Sequence, residues 1–380
     1  MNIAPALLEG WMRDYYFSTE VDVGSSGVQP FSFEELRELT GIEHKNLDRL
    51  TFHDSETLGA LNLRKAIAQR WCKQDFNQVM VTHGSSEAIF LIMNTILCAG
   101  DEVIVLDPCY QQLFSIAESI GCELKQWHLR FENQYVPDFD ELKRLITNKT
   151  KMVVVNFPHN PTGASLTQDQ QSMLLASVAE VGAYLVWDAA FAELIYDNDV
   201  PLPDPNLEYE RVISIGTLSK AYGLPGLRVG WCLANPDILA RFAHLRDYIS
   251  LHLSPLVEYI AQKAIENSDR LISLRRQQAY SNLQYLTDWI NHHQEAVDWV
   301  KPRGGVCAFP RFPSIKDIEE FCRDLAHLHK VLLVPGTCFG QQHHVRLGFG
   351  GEEHEFKEGL KRIEYLLDPT HDRSYSHAFL

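Results

Sequence analysis

Basic residues are scarce in this chain. Lysine and arginine total 34 against 50 aspartates and glutamates, a formal net charge of -16. That deficit argues against nucleic acid and anionic membranes as partners, since both recruit basic surfaces. No CxxC pair occurs among the eight cysteines, at 72, 98, 109, 122, 232, 307, 322 and 338. Neither a disulfide framework nor a zinc knuckle is expected, and the thiols read as free in a reducing compartment. The pairs His292-His293 and His343-His344 lack carboxylates or cysteines at ligand spacing, so no metal is expected. No apolar run is long enough to span a bilayer. The opening MNIAPALLEGWMRDYYF has no basic stretch followed by an apolar core, so no signal peptide is expected and a cytoplasmic location is. Internal repeats, low-complexity tracts and long linkers are also missing.

What is present is an ordinary globular composition: 380 residues, 45% hydrophobic and 22% charged, enough for two domains with sizeable cores. Ser32 followed by Glu35 reads as a capping box opening a short helix. LNLRKAIAQRW, from residue 61, is amphipathic at helical spacing. Seven short apolar segments then alternate with helical stretches: QVMVT, DEVIVL, CELKQWHL, KMVVVNF, AYLVWD, RVISIG and RVGWCLA. This alternation predicts an α/β fold with a seven-stranded, mostly parallel, doubly wound sheet. The expected organisation is a large domain over 48–255 and an interdomain helix with a small α+β domain over 256–368. Residues 1–47 are expected to join that small domain, and 369–380 to form a tail. The stretch from Leu253 to Leu286 reads as one long helix.

Chemistry-bearing residues gather at the predicted strand ends, where α/β sheets bind ligands. TLSKAYGLPGLRVG (217–230) places Lys220 after a buried strand, a candidate Schiff-base former. Its hydroxyls Thr217 and Ser219, with Arg228, suit an anion. THGSSEAIF (82–90) is a strand, a turn and a helix start, so the N–H groups of Ser85 and Ser86 could bind phosphate. The competing reading is an N-cap serine with no ligand. Tyr110, in DPCYQQLF, could stack on a flat ring or simply pack. Asn160, in HNPTG, carries an amide that could donate to a phenolic oxygen or a carboxylate. Asp188 ends LVWD and needs a buried partner: either a protonated ring nitrogen or an arginine. Arg346, inside the apolar VRLGF, needs an anion, either a substrate carboxylate or a structural one.

TLSKAYGLPGLRVG, HNPTG, PCY and GSS together resemble the fold type I, class I/II aminotransferase superfamily, over about residues 20–365. The resemblance implies pyridoxal 5′-phosphate (PLP) as cofactor. It implies that Lys220 links to it, Asp188 holds its ring nitrogen, Asn160 its ring oxygen, and Tyr110 its ring face. Ser85, Ser86, Thr217, Ser219 and Arg228 would hold the phosphate, and Arg346 with Asn160 the substrate carboxylate. It also implies a homodimer with active sites at the interface. Two positions depart from the pattern. Phe191 stands where a tyrosine usually bonds the cofactor oxygen, and no tyrosine occurs near Phe52-His53, where the neighbouring subunit's phosphate contact is usual.

LLEGWMRDYYF, DVGSSGVQPFSFEELREL and FHDSETLGALNLR further resemble capreomycidine-synthase-like enzymes, which form cyclic guanidines from hydroxylated arginine. This implies an amino acid substrate bearing a guanidinium, and the expected reaction is cyclodehydration of γ-hydroxy-L-arginine to enduracididine. Glu9 is then the candidate second acid/base or guanidinium partner, with Glu193 and Asp54 as alternatives to it for the guanidinium. Ser25 and Ser26 are candidate substrate contacts. The competing readings are a plain aminotransferase needing a keto acid, which Phe191 disfavours, and an aminotransferase-like sensor. The absence of a helix-turn-helix extension disfavours the sensor.

Overall fold

The computed structural model describes residues 2–196 and 200–367. The tail expected over 369–380 lies outside the described residues. The first strand, β1 (Val21–Asp22), precedes the main sheet. That sheet is built from β2 (Val79–Thr82), β3 (Glu102–Asp107), β4 (Glu123–His128), β5 (Thr150–Asn156), β6 (Tyr184–Asp188), β7 (Val212–Thr217) and β8 (Gly230–Leu233). Its spatial order is β2-β8-β7-β6-β5-β3-β4. Only β8 runs against its neighbours. The β3, β5, β6 and β7 segments are nearly unbroken Val/Ile/Leu runs because helices cover both faces of the sheet.

This topology decides where chemistry can occur. The parallel strands all end at one edge, so Thr82, Asp107, Asn156, Asp188 and Thr217 finish side by side. The antiparallel β8 begins at that same edge, with Gly230 opposite both Thr82 and Thr217, and thereby brings in Arg228 just before it.

The smaller unit holds β9 (Cys307–Ala308), β10 (Val331–Leu332), β11 (Val334–Pro335) and β12 (Val345–Gly348). Strands β11, β12 and β9 form an antiparallel sheet, while β1 pairs in parallel with β10, Val21 opposite Val331. Beyond β1 the chain is pinned to both units. Gly348 N–H donates to Val23 O at 2.8 Å, and Phe31 N–H to Gly223 O at 2.9 Å. Residues 24–30 are therefore threaded between β12 and the Lys220 turn.

Two local readings differ in outcome. Ser32 and Glu35 do form a reciprocal capping box, opening the helix Phe33–Thr40. The long helix expected from Leu253 instead divides at Asn267 into Pro255–Glu266 and Ser268–His292. The Asn267 side chain donates to Lys263 O at 2.9 Å, offering the backbone a local alternative to helix that hydropathy does not register.

Candidate active site

A cavity of about 650 Å³ opens between the strand ends, the small unit and the helix Leu7–Tyr15. It gathers Lys220, Asp188, Asn160, Tyr110, Ser85, Ser86, Ser219, Arg228, Arg346, Glu9, Ser25 and Ser26 into its lining.

The phosphate end is made by close backbone approach. The helix Gly84–Ile96 starts at Gly84 and its N-cap, His83, contributes no side-chain cap. Ser85 and Ser86 are thus first-turn residues rather than caps, which sets aside the N-cap reading. Gly84 has φ +69°, and a Cβ there would lie 2.5 Å from Arg228 Nη2. A Cβ on Gly230 would lie 2.6 Å from Gly84 C and 2.7 Å from Ser85 N. Both glycines are required for arginine and helix N-terminus to converge, an arrangement suited to an anion. Arg228 Nη1 also donates to Ser219 Oγ at 3.3 Å. Thr217 is buried directly behind Ser219. Its hydroxyl accepts from Ser219 N–H at 3.1 Å and lies 3.2 Å from Val229 O. It shapes the turn that presents Ser219.

Asp188 is 6% exposed at the end of β6. Its Oδ1 accepts from Ala190 N–H at 3.0 Å, and no arginine pairs with it among the described residues. Burial raises its pKa to about 6; the Ala190 bond and nearby Lys220 oppose this. Asn156, which sequence reasoning overlooked, braces this corner. Its Nδ2 donates to Asp188 O and its Oδ1 accepts from Asn160 N–H, both at 2.9 Å. A polar residue closing an apolar strand was the same signal that marked Asp188.

Lys220 Nζ donates to Ser26 Oγ at 2.8 Å and lies 5.7 Å from the Phe191 ring centroid. Burial, then the neighbouring Arg346, lowers its pKa to about 8. Arg346 is 1% exposed. It donates only to oxygens of neutral groups, to Gly24 O at 2.9 and 3.2 Å and to Asn160 Oδ1 at 3.4 Å. The structural carboxylate that would otherwise explain it is absent among the described residues. Buried cations without anions are costly, so the arrangement suits an incoming carboxylate.

Glu9 projects from the Leu7–Tyr15 helix into the cavity. Tyr110 Oη donates to its Oε1 at 2.6 Å, while its Oε2 is buried without a partner. This differs from a solvated helix charge. Burial, then Glu9, pushes the Tyr110 phenol pKa upward. The alternatives to Glu9 fall elsewhere. Glu193 pairs with Arg70 and accepts from Tyr222 Oη at 2.9 Å; Asp54 is exposed and pairs with His252. Neither lines the cavity. Asp22, Glu352 and Glu355 do line it, and no local sequence pattern marked them. Among the described residues no three His, Cys, Asp or Glu side chains could hold a metal, and no helix is long and apolar enough to cross a membrane.

Comparison with known proteins agrees with this geometry. Residues 41–363 match the model for aminotransferase class I and II. The chain is 44% identical to capreomycidine synthase of Streptomyces vinaceus over 370 residues, covering 97% of this chain and 95% of that protein. The crystal structure of the PLP-dependent cyclase OrfR superposes with a TM-score of 0.92 at 42% identity, covering 97% and 98%. A Thermus thermophilus aspartate aminotransferase double mutant shares the fold, at TM-score 0.85 and 22% identity over 96% and 97%.

The residues present fit PLP. A glycine-opened anion cradle, a recessed lysine and a buried carboxylate without a cation partner complement its phosphate, aldehyde and pyridine nitrogen. The chain belongs to the class I and II aminotransferase family, and its cofactor is pyridoxal 5′-phosphate.

Proposed function

We propose that this enzyme is a cyclodehydratase converting γ-hydroxy-L-arginine to L-enduracididine, the step expected in guanitoxin biosynthesis. The observation that carries the reading is Glu9: a carboxylate oxygen buried without a partner in the cavity that also holds Lys220. Plain transamination moves protons at the α-carbon and the cofactor, for which one lysine suffices. Removing a hydroxyl and closing a guanidine ring needs a second proton-exchanging group. Similarity to capreomycidine synthase and to a PLP-dependent cyclase supports an arginine-derived substrate. Phe191 at the usual tyrosine position is a further departure from the transaminase pattern.

Bound here, PLP would supply an electron sink for charge building at the substrate α- and β-carbons. Asp188 would hold the ring nitrogen protonated, Asn160 its oxygen, and Ser85, Ser86, Thr217, Ser219 and Arg228 the phosphate, with Tyr110 against the ring. Arg346 would orient the substrate carboxylate. Lys220, whose pKa in the cofactor-free protein is lowered to about 8 by burial and then Arg346, would accept the α-proton once its amine is free. Ser26, bonded to Lys220 Nζ, and Ser25 beside it would steer that amine and the substrate. Lys220 would hand the α-proton on to the bound cofactor and take the β-proton in turn, while Glu9 would protonate the γ-hydroxyl, which would leave as water. A guanidine nitrogen would then bond the γ-carbon, its surplus proton passing to Glu9, and Lys220 would return protons to the β- and α-carbons. The net change is loss of one water, with no keto acid consumed.

A homodimer forms part of the proposal. Phe52 and Tyr248 are 76% and 91% exposed, and the Asp54–His252 pair at 3.1 Å brings their segments together. Large apolar side chains left exposed in this way suit burial against a second copy.

The test is incubation of the holoenzyme with γ-hydroxy-L-arginine in D2O without a keto acid, followed by mass spectrometry and NMR. A product lighter by one water, deuterated at the α- and β-carbons, is expected. Conversion only to a keto acid, and only after an amino acceptor is added, would replace the reading with transamination.

A further inference from the structure

We infer that Gln111 is a positioning residue that sets the start of the Leu7–Tyr15 helix and, through it, the place of Glu9. The first N–H groups of a helix need acceptors from outside it. This helix has Ala6 at its N-cap, which offers none. The acceptor comes from 104 residues away: Leu7 N–H donates to Gln111 Oε1 at 2.9 Å. The other end of the same amide donates from Nε2 to Pro5 O, also at 2.9 Å. Gln111 is buried, so each half of its amide has a partner on this one segment.

Local sequence alone would not hold the segment. A nine-residue helix is marginal in water. Residues 2–5 ahead of it are exposed, and only Leu8 and Trp11 within it are buried. Trp11 Nε1 donates to Leu333 O at 2.9 Å and anchors the middle. Gln111 anchors the start, and Glu9 lies between the two anchors. The residue preceding Gln111 is Tyr110, whose hydroxyl donates to Glu9. Two consecutive residues of one loop therefore fix both the helix start and the carboxylate.

The inference rests on Glu9 being the group that exchanges the γ-hydroxyl proton. It predicts a split between two steps. Taking the α-proton belongs to Lys220 and does not need Glu9; losing water does.

The experiment uses holoenzyme of the parent, Gln111→Leu and Gln111→Glu, with γ-hydroxy-L-arginine in D2O. Leucine removes both bonds; glutamate keeps an acceptor for Leu7 N–H and loses the donor to Pro5 O. For Gln111→Leu, water loss should fall at least about fivefold, the scale of a lost helix cap. α-Deuteration should stay within about twofold, and the absorbance of bound cofactor should be unchanged. Gln111→Glu should fall between leucine and the parent. In a Glu9→Gln background, Gln111→Leu should add nothing, since both act on one group.

Unchanged water loss in Gln111→Leu, equal falls in both steps, or additive losses in the double variant would each overturn the inference. If Gln111→Leu does not fold, water loss in Gln111→Glu equal to the parent's would do the same. If the parent itself forms no water-loss product, the functional reading fails and the latch is judged separately by amide hydrogen exchange. Faster exchange over residues 7–15 in Gln111→Leu supports it, and exchange identical to the parent rejects it.

Discussion

Asp188→Asn separates what a buried carboxylate costs the fold from what it does for the cofactor. In the cofactor-free protein burial raises this pKa to about 6, against about 3.9 in an unfolded chain. The folded state therefore holds the proton more tightly, and its stability falls as pH rises through that window. Below about pH 4 both states are protonated and nothing is lost; above about pH 6 the penalty is complete. At about 1.36 kcal/mol per tenfold change in the ionisation equilibrium, the full penalty is roughly 3 kcal/mol. Asparagine keeps an oxygen for Ala190 N–H and removes the charge. The cofactor-free variant should thus exceed the cofactor-free parent by roughly 3 kcal/mol at pH 8, and by about half that at pH 5. With an unfolding entropy near 2.1 cal/mol/K per residue, 380 residues turn the pH 8 difference into roughly 4 °C in Tm.

The assay is thermal unfolding of both cofactor-free proteins at the two pH values, repeated with saturating PLP. The cofactor should reverse the order, because only the carboxylate can pair with a protonated ring nitrogen. Turnover of the variant should fall by about 10² or more, the scale of a lost preorganised charge. A variant less stable than its parent at both pH values would refute the reasoning, as would a gap that does not widen from pH 5 to pH 8. Either would mean that packing, not ionisation, dominates at this position.

Two further predictions concern cofactor capture. Lys220 is nucleophilic only when neutral, so covalent uptake of PLP by the cofactor-free enzyme should accelerate as pH rises and level off above about 8. A stopped-flow profile still rising steeply at pH 10 would show an ordinary surface lysine. Gly230→Ala would drive a methyl into the backbone of Gly84 and Ser85. PLP affinity measured by fluorescence titration should weaken at least about tenfold, the scale of an overpacking penalty, and unchanged affinity would remove this turn from the phosphate site.

How much of this was legible in the sequence depends on how each feature is encoded. A parallel strand buried on both faces writes itself as a continuous apolar run, so β3, β5, β6 and β7 could be read without any tertiary knowledge. The cavity residues nearest them could be read for a related reason. Asp188 and Lys220 each close or follow such a run, and Arg346 interrupts one. A charge there is conspicuous because its neighbours are not charged. The identity of the partner is a different matter, since it is settled by contacts that span the chain. Glu193 and Asp54 looked as available as Glu9 until Arg70 and His252 were found beside them.

Gln111 carries no signal at all in its own neighbourhood. A glutamine at a loop-to-helix junction is unremarkable, and only the placement of Leu7 and Pro5 against it, 104 and 106 residues away, gives its amide a task. The same holds for Asp22, Glu352 and Glu355, which meet in the cavity lining only because the final helix, Glu353–Leu367, packs against β1, with Asp22 N–H donating to Glu355 Oε1 at 2.7 Å. Strand-end chemistry is local, because the sheet edge collects it whatever the helices do. Residues that select and orient a particular substrate sit on the segments that close over that edge, where legibility depends on the fold being known. The strand-end residues are thus the readable ones, and those on the closing segments, which would distinguish a cyclase from a transaminase, mostly are not.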